Sequence, residues 1–66
     1  MLEKGYIVNE FDEVVGTFEK LTNGYYNGYY YVKLHGNVNY YSESAFNDKL
    51  MELDLYIESD ADASFD

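Results

Sequence analysis

The sequence contains no cysteine, so neither a disulfide framework nor a thiolate metal site is open to it, although very small domains often depend on one or the other. Nowhere do eighteen apolar residues follow one another, and the opening Met1-Leu2-Glu3-Lys4-Gly5 lacks the basic stretch and apolar segment of a secretory signal. These absences lead to the expectation of a cytoplasmic protein with no membrane partner. Positive charge is scarce as well: four lysines stand against thirteen acids, for a net charge of −9. A surface of that sign repels nucleic acid and anionic lipid and attracts basic protein surfaces, so direct nucleic-acid binding is not expected.

Catalytic signatures are missing too. His35 is the single histidine, stands beside Gly36 and has no cysteine, second histidine or recognisable nucleophile to work with. No phosphate-binding loop, zinc-protease or serine-hydrolase motif occurs, and the many acids form no pair set apart by environment. Asp60-x-Asp62-x-Ser64-x-Asp66 places oxygen ligands at alternate positions, as the opening of a calcium-binding loop does, but the glycine at its sixth position is missing and the sequence stops before the glutamate at its twelfth. The expectation is a non-enzymatic protein with no cofactor and no metal.

What is present starts with tyrosine. Aromatic residues make up 20% of the 66 positions and nine of them are tyrosines, more than a thin core needs in a chain that buries only about 60% of its unfolded surface. Tyrosine is enriched at interfaces because it buries a large rigid ring while its hydroxyl keeps a hydrogen bond. Tyr25, Tyr26, Tyr29, Tyr30, Tyr31, Tyr40, Tyr41 and Tyr56 cannot all share one face of a strand, since neighbouring side chains alternate.

Turn signals arrange these residues. Asn23-Gly24 suits a two-residue hairpin loop, which would pair Phe18 with Tyr29, Gly16 with Tyr31 and Val15 with Val32, and so set Tyr29, Tyr31 and Tyr40 beside Phe18 with Tyr26, Tyr30 and Tyr41 on the other face. His35-Gly36 continues the meander by pairing Leu34 with Asn37, Val32 with Asn39 and Tyr31 with Tyr40. Asn27-Gly28 offers a further turn or a bulge in the third strand. Strands are expected near 5–9, 13–22, 25–34 and 37–42. A helix competes for residues 10–21, because Phe11, Val14, Val15, Phe18 and Leu21 also fall at helical spacing behind an Asn9 cap. The paired valines, Gly16 and Thr17 favour the strand. From Ser42 or Ser44, either of which can cap, the stripe Phe46, Leu50, Leu53 predicts a helix over 43–53. The fold class is therefore α+β: a small antiparallel β-meander of about four strands with one C-terminal helix and room for a short final strand. Residues 1–58 form one domain and 59–66 an acidic tail or strand extension.

Charge is unevenly spread. Residues 1–42 carry five acids and three lysines, whereas residues 43–66 carry eight acids and one lysine, a net −2 against −7. Asp48 and Glu52 lie one helical turn apart, a rise of roughly 6 Å. After them every acid has an even number, so an extended chain would present Asp54, Glu58, Asp60 and Asp62 along one side, with Leu55 and Ile57 on the other. Carboxylates on alternate strand residues repeat every ~6.6 Å, of the order of successive phosphates on a nucleic-acid strand. Such a row suits the arginines and lysines of a phosphate-binding cleft.

In size, acidity, mixed sheet-and-helix pattern and lack of catalytic residues, the chain resembles the small acidic DNA-mimic inhibitors encoded by phages and mobile elements, among them inhibitors of uracil-DNA glycosylase, restriction enzymes and CRISPR effectors. The resemblance implies a protein of the host cytoplasm that blocks the basic cleft of a nucleic-acid enzyme. The expected contacts are Asp48, Glu52, Asp54, Tyr56, Glu58, Asp60 and Asp62, with Tyr30 and Tyr41 adding packed area. A self-associating module that joins through its tyrosine-rich sheet, as a homodimer for instance, is the alternative.

Overall fold

Period-two alternation wins over helical spacing in the first third of the chain. β1 (Lys4–Val8) and β2 (Val14–Lys20) pair antiparallel, with Gly5 opposite Phe18 and Ile7 opposite Gly16. Asn9, which could have capped a helix, closes the connecting loop instead. Its Oδ1 accepts from the N–H groups of Phe11 (2.9 Å) and Glu13 (3.0 Å), and its own N–H donates to the Glu13 carbonyl (3.0 Å). Phe11 is left 74% exposed, the opposite of the core role its helical spacing suggested. One residue beyond Ile7 the pairing shifts to Val8 opposite Val14, so Val15 forms a bulge and turns towards the core.

The computed structural model describes residues 2–59. Within them β3 (Tyr30–Leu34), β4 (Asn37–Tyr41), α1 (Glu43–Glu52) and β5 (Tyr56–Ser59) complete an α+β fold. The five strands lie in the order β4-β3-β2-β1-β5, every neighbouring pair antiparallel, so the final strand joins the sheet beside β1. Ser59, the first residue of the expected tail or strand extension, pairs with Gly5; residues 60–66, with Asp60, Asp62 and the calcium-loop-like segment, lie outside the described residues.

The hairpin at His35-Gly36 has the expected register, and both turn residues have the positive φ of a type I′ loop, 52° and 84°. The hairpin at Asn23-Gly24 does not. Phe18 faces Val32 rather than Tyr29, and Gly16 faces Leu34 rather than Tyr31. Residues 21–29 are withdrawn from the sheet by two turns, with Gly24 and Gly28 at φ 81° and 90°, and Leu21 ties the loop shut by donating to Tyr29 and accepting from Gly28, both at 2.8 Å. A slip of three residues exchanges the faces. Tyr30 and Tyr41 come to lie on the Phe18 face and Tyr31 and Tyr40 on the other, which reverses the expected sorting. Gly16 is required at this crossing, because a Cβ there would run into the Lys33 carbonyl oxygen of β3.

Ser42 caps α1: its backbone is extended and its Oγ accepts from the Ala45 N–H at 3.3 Å. Phe46 and Leu50 are buried as their spacing predicts, but Leu53, the third residue of the stripe, is exposed because the helix ends there. The ending is a Schellman motif. Leu55 N–H donates to Leu50 (2.9 Å) and Asp54 N–H to Met51 (3.3 Å), with Asp54 in the left-handed position at φ 55°.

Ile7, Phe18, Tyr30, Val32, Phe46 and Leu50 form the core between α1 and one face of the sheet, edged by Leu34, Tyr41, Leu55 and Ile57. The Phe46 ring is central, with centroids 5.4 Å from Phe18 and 5.2 Å from Tyr30. Among the described residues no element covers the opposite face.

Candidate protein-binding site

The pairing of β5 with β1 builds a site that neither segment forms alone. Val8 stands opposite Tyr56, so the β1–β2 loop and the α1–β5 turn emerge from the same end of the sheet. Glu10, Asp12 and Glu13 leave from the first connection, Asp54 from the second and Glu52 from the last residue of α1 just before it. All five are exposed, and the three connections at this end, residues 9–13, 35–36 and 53–55, contain no lysine. Asp48 lies one helical turn before Glu52, also exposed.

Local chemistry does not ask for acids here. The C-terminus of a helix carries partial negative charge and is stabilised by cations, yet Glu52 occupies the last turn and Asp54 follows at once. The Lys49 ammonium, 3.3 Å from Glu52 Oε1, offsets part of that charge, but an exposed pair of this kind contributes at most about 1 kcal/mol. Asp54 also takes the left-handed position that glycine fills most easily.

Beside these acids runs an open groove of about 580 Å³, with Asn47, Met51 and Asp54 along one side and Leu55, Tyr56 and Ile57 along the other. Met51 is 77% exposed at its rim. Tyr56 and Glu58 point away from the helix, Leu55 and Ile57 towards it, as the period of two in this segment predicts. Asp54 does not belong to that row: it lies in the turn before the strand. Of the expected contacts, Asp54 and Tyr56 line this groove; Asp48 and Glu52 are exposed on α1 outside its lining, and Glu58 lies further along β5 on the open face.

Tyr30 and Tyr41 do not join them. Tyr30 is 1% exposed and donates its hydroxyl to the Leu2 carbonyl at 3.2 Å; Tyr41 is half-buried, its ring stacked at 6.4 Å on Phe46. Burial, with the carboxylates of Glu43 and Glu3 adding to it, holds the Tyr30 hydroxyl above the usual tyrosine pKa. The exposed tyrosines are others. In the loop Asn23-Gly24-Tyr25-Tyr26-Asn27-Gly28-Tyr29, Tyr25 meets Tyr26 edge to face at 5.0 Å, and Tyr26 lies flat on Tyr40 at 4.3 Å. Tyr31 closes against Tyr40 at 5.4 Å, which carries the chain of rings onto the uncovered face of the sheet.

The acids of the β1–β2 loop were not visible as part of a site in the sequence, because they belong to the stretch whose net charge is low. The available signal was their clustering in one turn, three acids within Glu10-Phe11-Asp12-Glu13. Among the described residues no group of three histidine, aspartate or glutamate side chains is placed to hold a metal ion. No helix among them is long and apolar enough to cross a membrane.

Geometry and chemistry together define a small α+β protein with an acidic, groove-bearing end. No family model, curated protein or solved structure matches the chain.

Proposed function

We propose that this is a non-enzymatic binding protein whose acidic end occupies the basic, nucleic-acid-binding cleft of another protein and so blocks access of DNA or RNA. The observation that carries the reading is the placing of Glu52 and Asp54 at the negative end of α1, at the same end of the sheet as Glu10, Asp12 and Glu13, where helix electrostatics disfavour both and backbone geometry disfavours Asp54. Acids kept where they oppose local stability point to a role outside the fold. A cleft lined with lysine and arginine recovers that energy through charge-assisted hydrogen bonds, and the apolar groove beside the acids accepts a side chain from its wall. Steering by a net charge of −9 accelerates the encounter. This is the mode of action of the acidic mimic inhibitors that the chain resembles.

The experiment is capture of partners from a host lysate on the immobilised protein, with elution by added DNA or RNA. Wild type should retain a nucleic-acid-binding protein that the nucleic acid displaces, and retention should fall steeply with salt. The triple reversal Glu52→Lys, Asp54→Lys, Glu58→Lys should lose it, with the far-UV circular dichroism unchanged. Retention untouched by the reversal, or indifferent to nucleic acid, would sink the proposal.

A further inference from the structure

The geometry points to a second binding surface, the outer edge of β4, and to its occupant, the β4 edge of a second copy of this chain. Hydrogen bonding settles which residues look outward. His35 N–H donates to Val15 and Leu21 N–H to Tyr29, so the odd-numbered positions on and beside β3 bond to β2, and Tyr30, Val32 and Leu34 bond to β4. Their partners Tyr41, Asn39 and Asn37 turn their peptide groups inward. Val38 and Tyr40 turn theirs outward, at the rim of the sheet.

Edge strands that avoid self-pairing carry lysine, proline or a bulge. β4, Asn37-Val38-Asn39-Tyr40-Tyr41, carries none of these and no charge, within a chain of net charge −9. The other edge, β5, has Glu58 exposed at its centre and excludes a like-charged copy.

Two β4 strands related by a two-fold axis through Asn39 place Val38 opposite the partner copy's Tyr40, and Tyr40 opposite its Val38, with both outward peptide groups in bonding register. The acidic end stays remote: β1 is three strand spacings from β4, about 14 Å away, beyond the ~8 Å screening length at physiological salt. The pairing joins two sheets into one of ten strands and sets Val38 and Tyr40 of both copies side by side on the uncovered face. It is independent of the cleft-binding proposal.

Sedimentation velocity tests it. The apparent mass of wild type should double with rising concentration, with dissociation in roughly the micromolar to millimolar range that so short an interface supports. Val38→Pro removes an outward N–H, leaves the β3–β4 ladder bonded, and should abolish the dimer. Val38→Lys with Tyr40→Lys should abolish it without proline, and Val38→Lys with Tyr40→Glu should restore it, because only this register sets lysine opposite glutamate. A wild type that stays monomeric throughout overturns the inference, as does a dimer that survives the lysine pair. Should Val38→Pro fail to fold, the two charged variants decide the matter.

Discussion

Two opposite corners of this small sheet differ in every respect that matters for binding. At the β1–β5 corner, connections 9–13 and 53–55 carry four acids and no lysine; at the diagonal corner, loop 21–29 and strand β4 carry no charge and four exposed tyrosines, Tyr25, Tyr26, Tyr29 and Tyr40. The acidic corner is held by tight backbone closures, an Asn9 loop and a Schellman helix end. The aromatic corner adds ring-on-ring contact to the backbone closure at Leu21. Each device suits its contents: carboxylates need solvent and rigid backbone beneath them, whereas tyrosines can tile one another and still offer a face. One chain thus separates a charged surface from an uncharged, aromatic one.

The comparison breaks most completely if the shared support is removed. Phe46→Ala takes out the ring that packs on Phe18, Tyr30 and Tyr41, and should cost about 3–5 kcal/mol by chemical denaturation, loosening α1 and with it both corners. A smaller effect probes the core between the two corners through pH. Tyr30 has a folded-state pKa above its unfolded value near 10, so the folded protein holds its hydroxyl proton longer. Below pH 10 this group gives no pH dependence; above it, ionisation favours the unfolded chain, and stability is lost as pH rises through the folded pKa. Tyr30→Phe should flatten that alkaline loss, at a cost near neutrality of about 1 kcal/mol for the hydroxyl's bond to Leu2. Denaturation midpoints from pH 8 to 11 measure both. The smallest effect sharpens the acidic corner. Asp54→Gly relieves the left-handed backbone and removes a charge from the helix C-terminus, and should raise stability by about 0.5–1 kcal/mol while weakening capture of a basic partner. A gain in stability with no loss of capture would strip Asp54 of its binding role.

Local signals were readable in the sequence and held in the structure. Ser42 before Phe46 and Leu50 gives the helix, because cap and stripe act within two turns; His35-Gly36 gives the second hairpin, because a two-residue loop dictates its own register. The alternation from Leu55 to Glu58 gives the last strand. The pairing of β2 with β3 was not readable. With two Asn-Gly pairs four residues apart, either can turn the chain, and the choice depends on which side chains fill the space under α1. Tyr30 and Val32 fill it with Phe18, whereas the expected register would have offered Tyr29 and Tyr31.

What the sequence by itself determined is therefore the inventory and its local geometry: an α+β chain with excess acid and tyrosine, a capped helix, and turns at fixed glycines. Tertiary structure alone decided which tyrosines are core and which are surface, since a shift of three residues between two strands reverses every face. It also decided that Glu10, Asp12 and Glu13 join Glu52 and Asp54, because only the pairing of the first strand with the last, from opposite ends of the described chain, brings those acids to one end of the sheet.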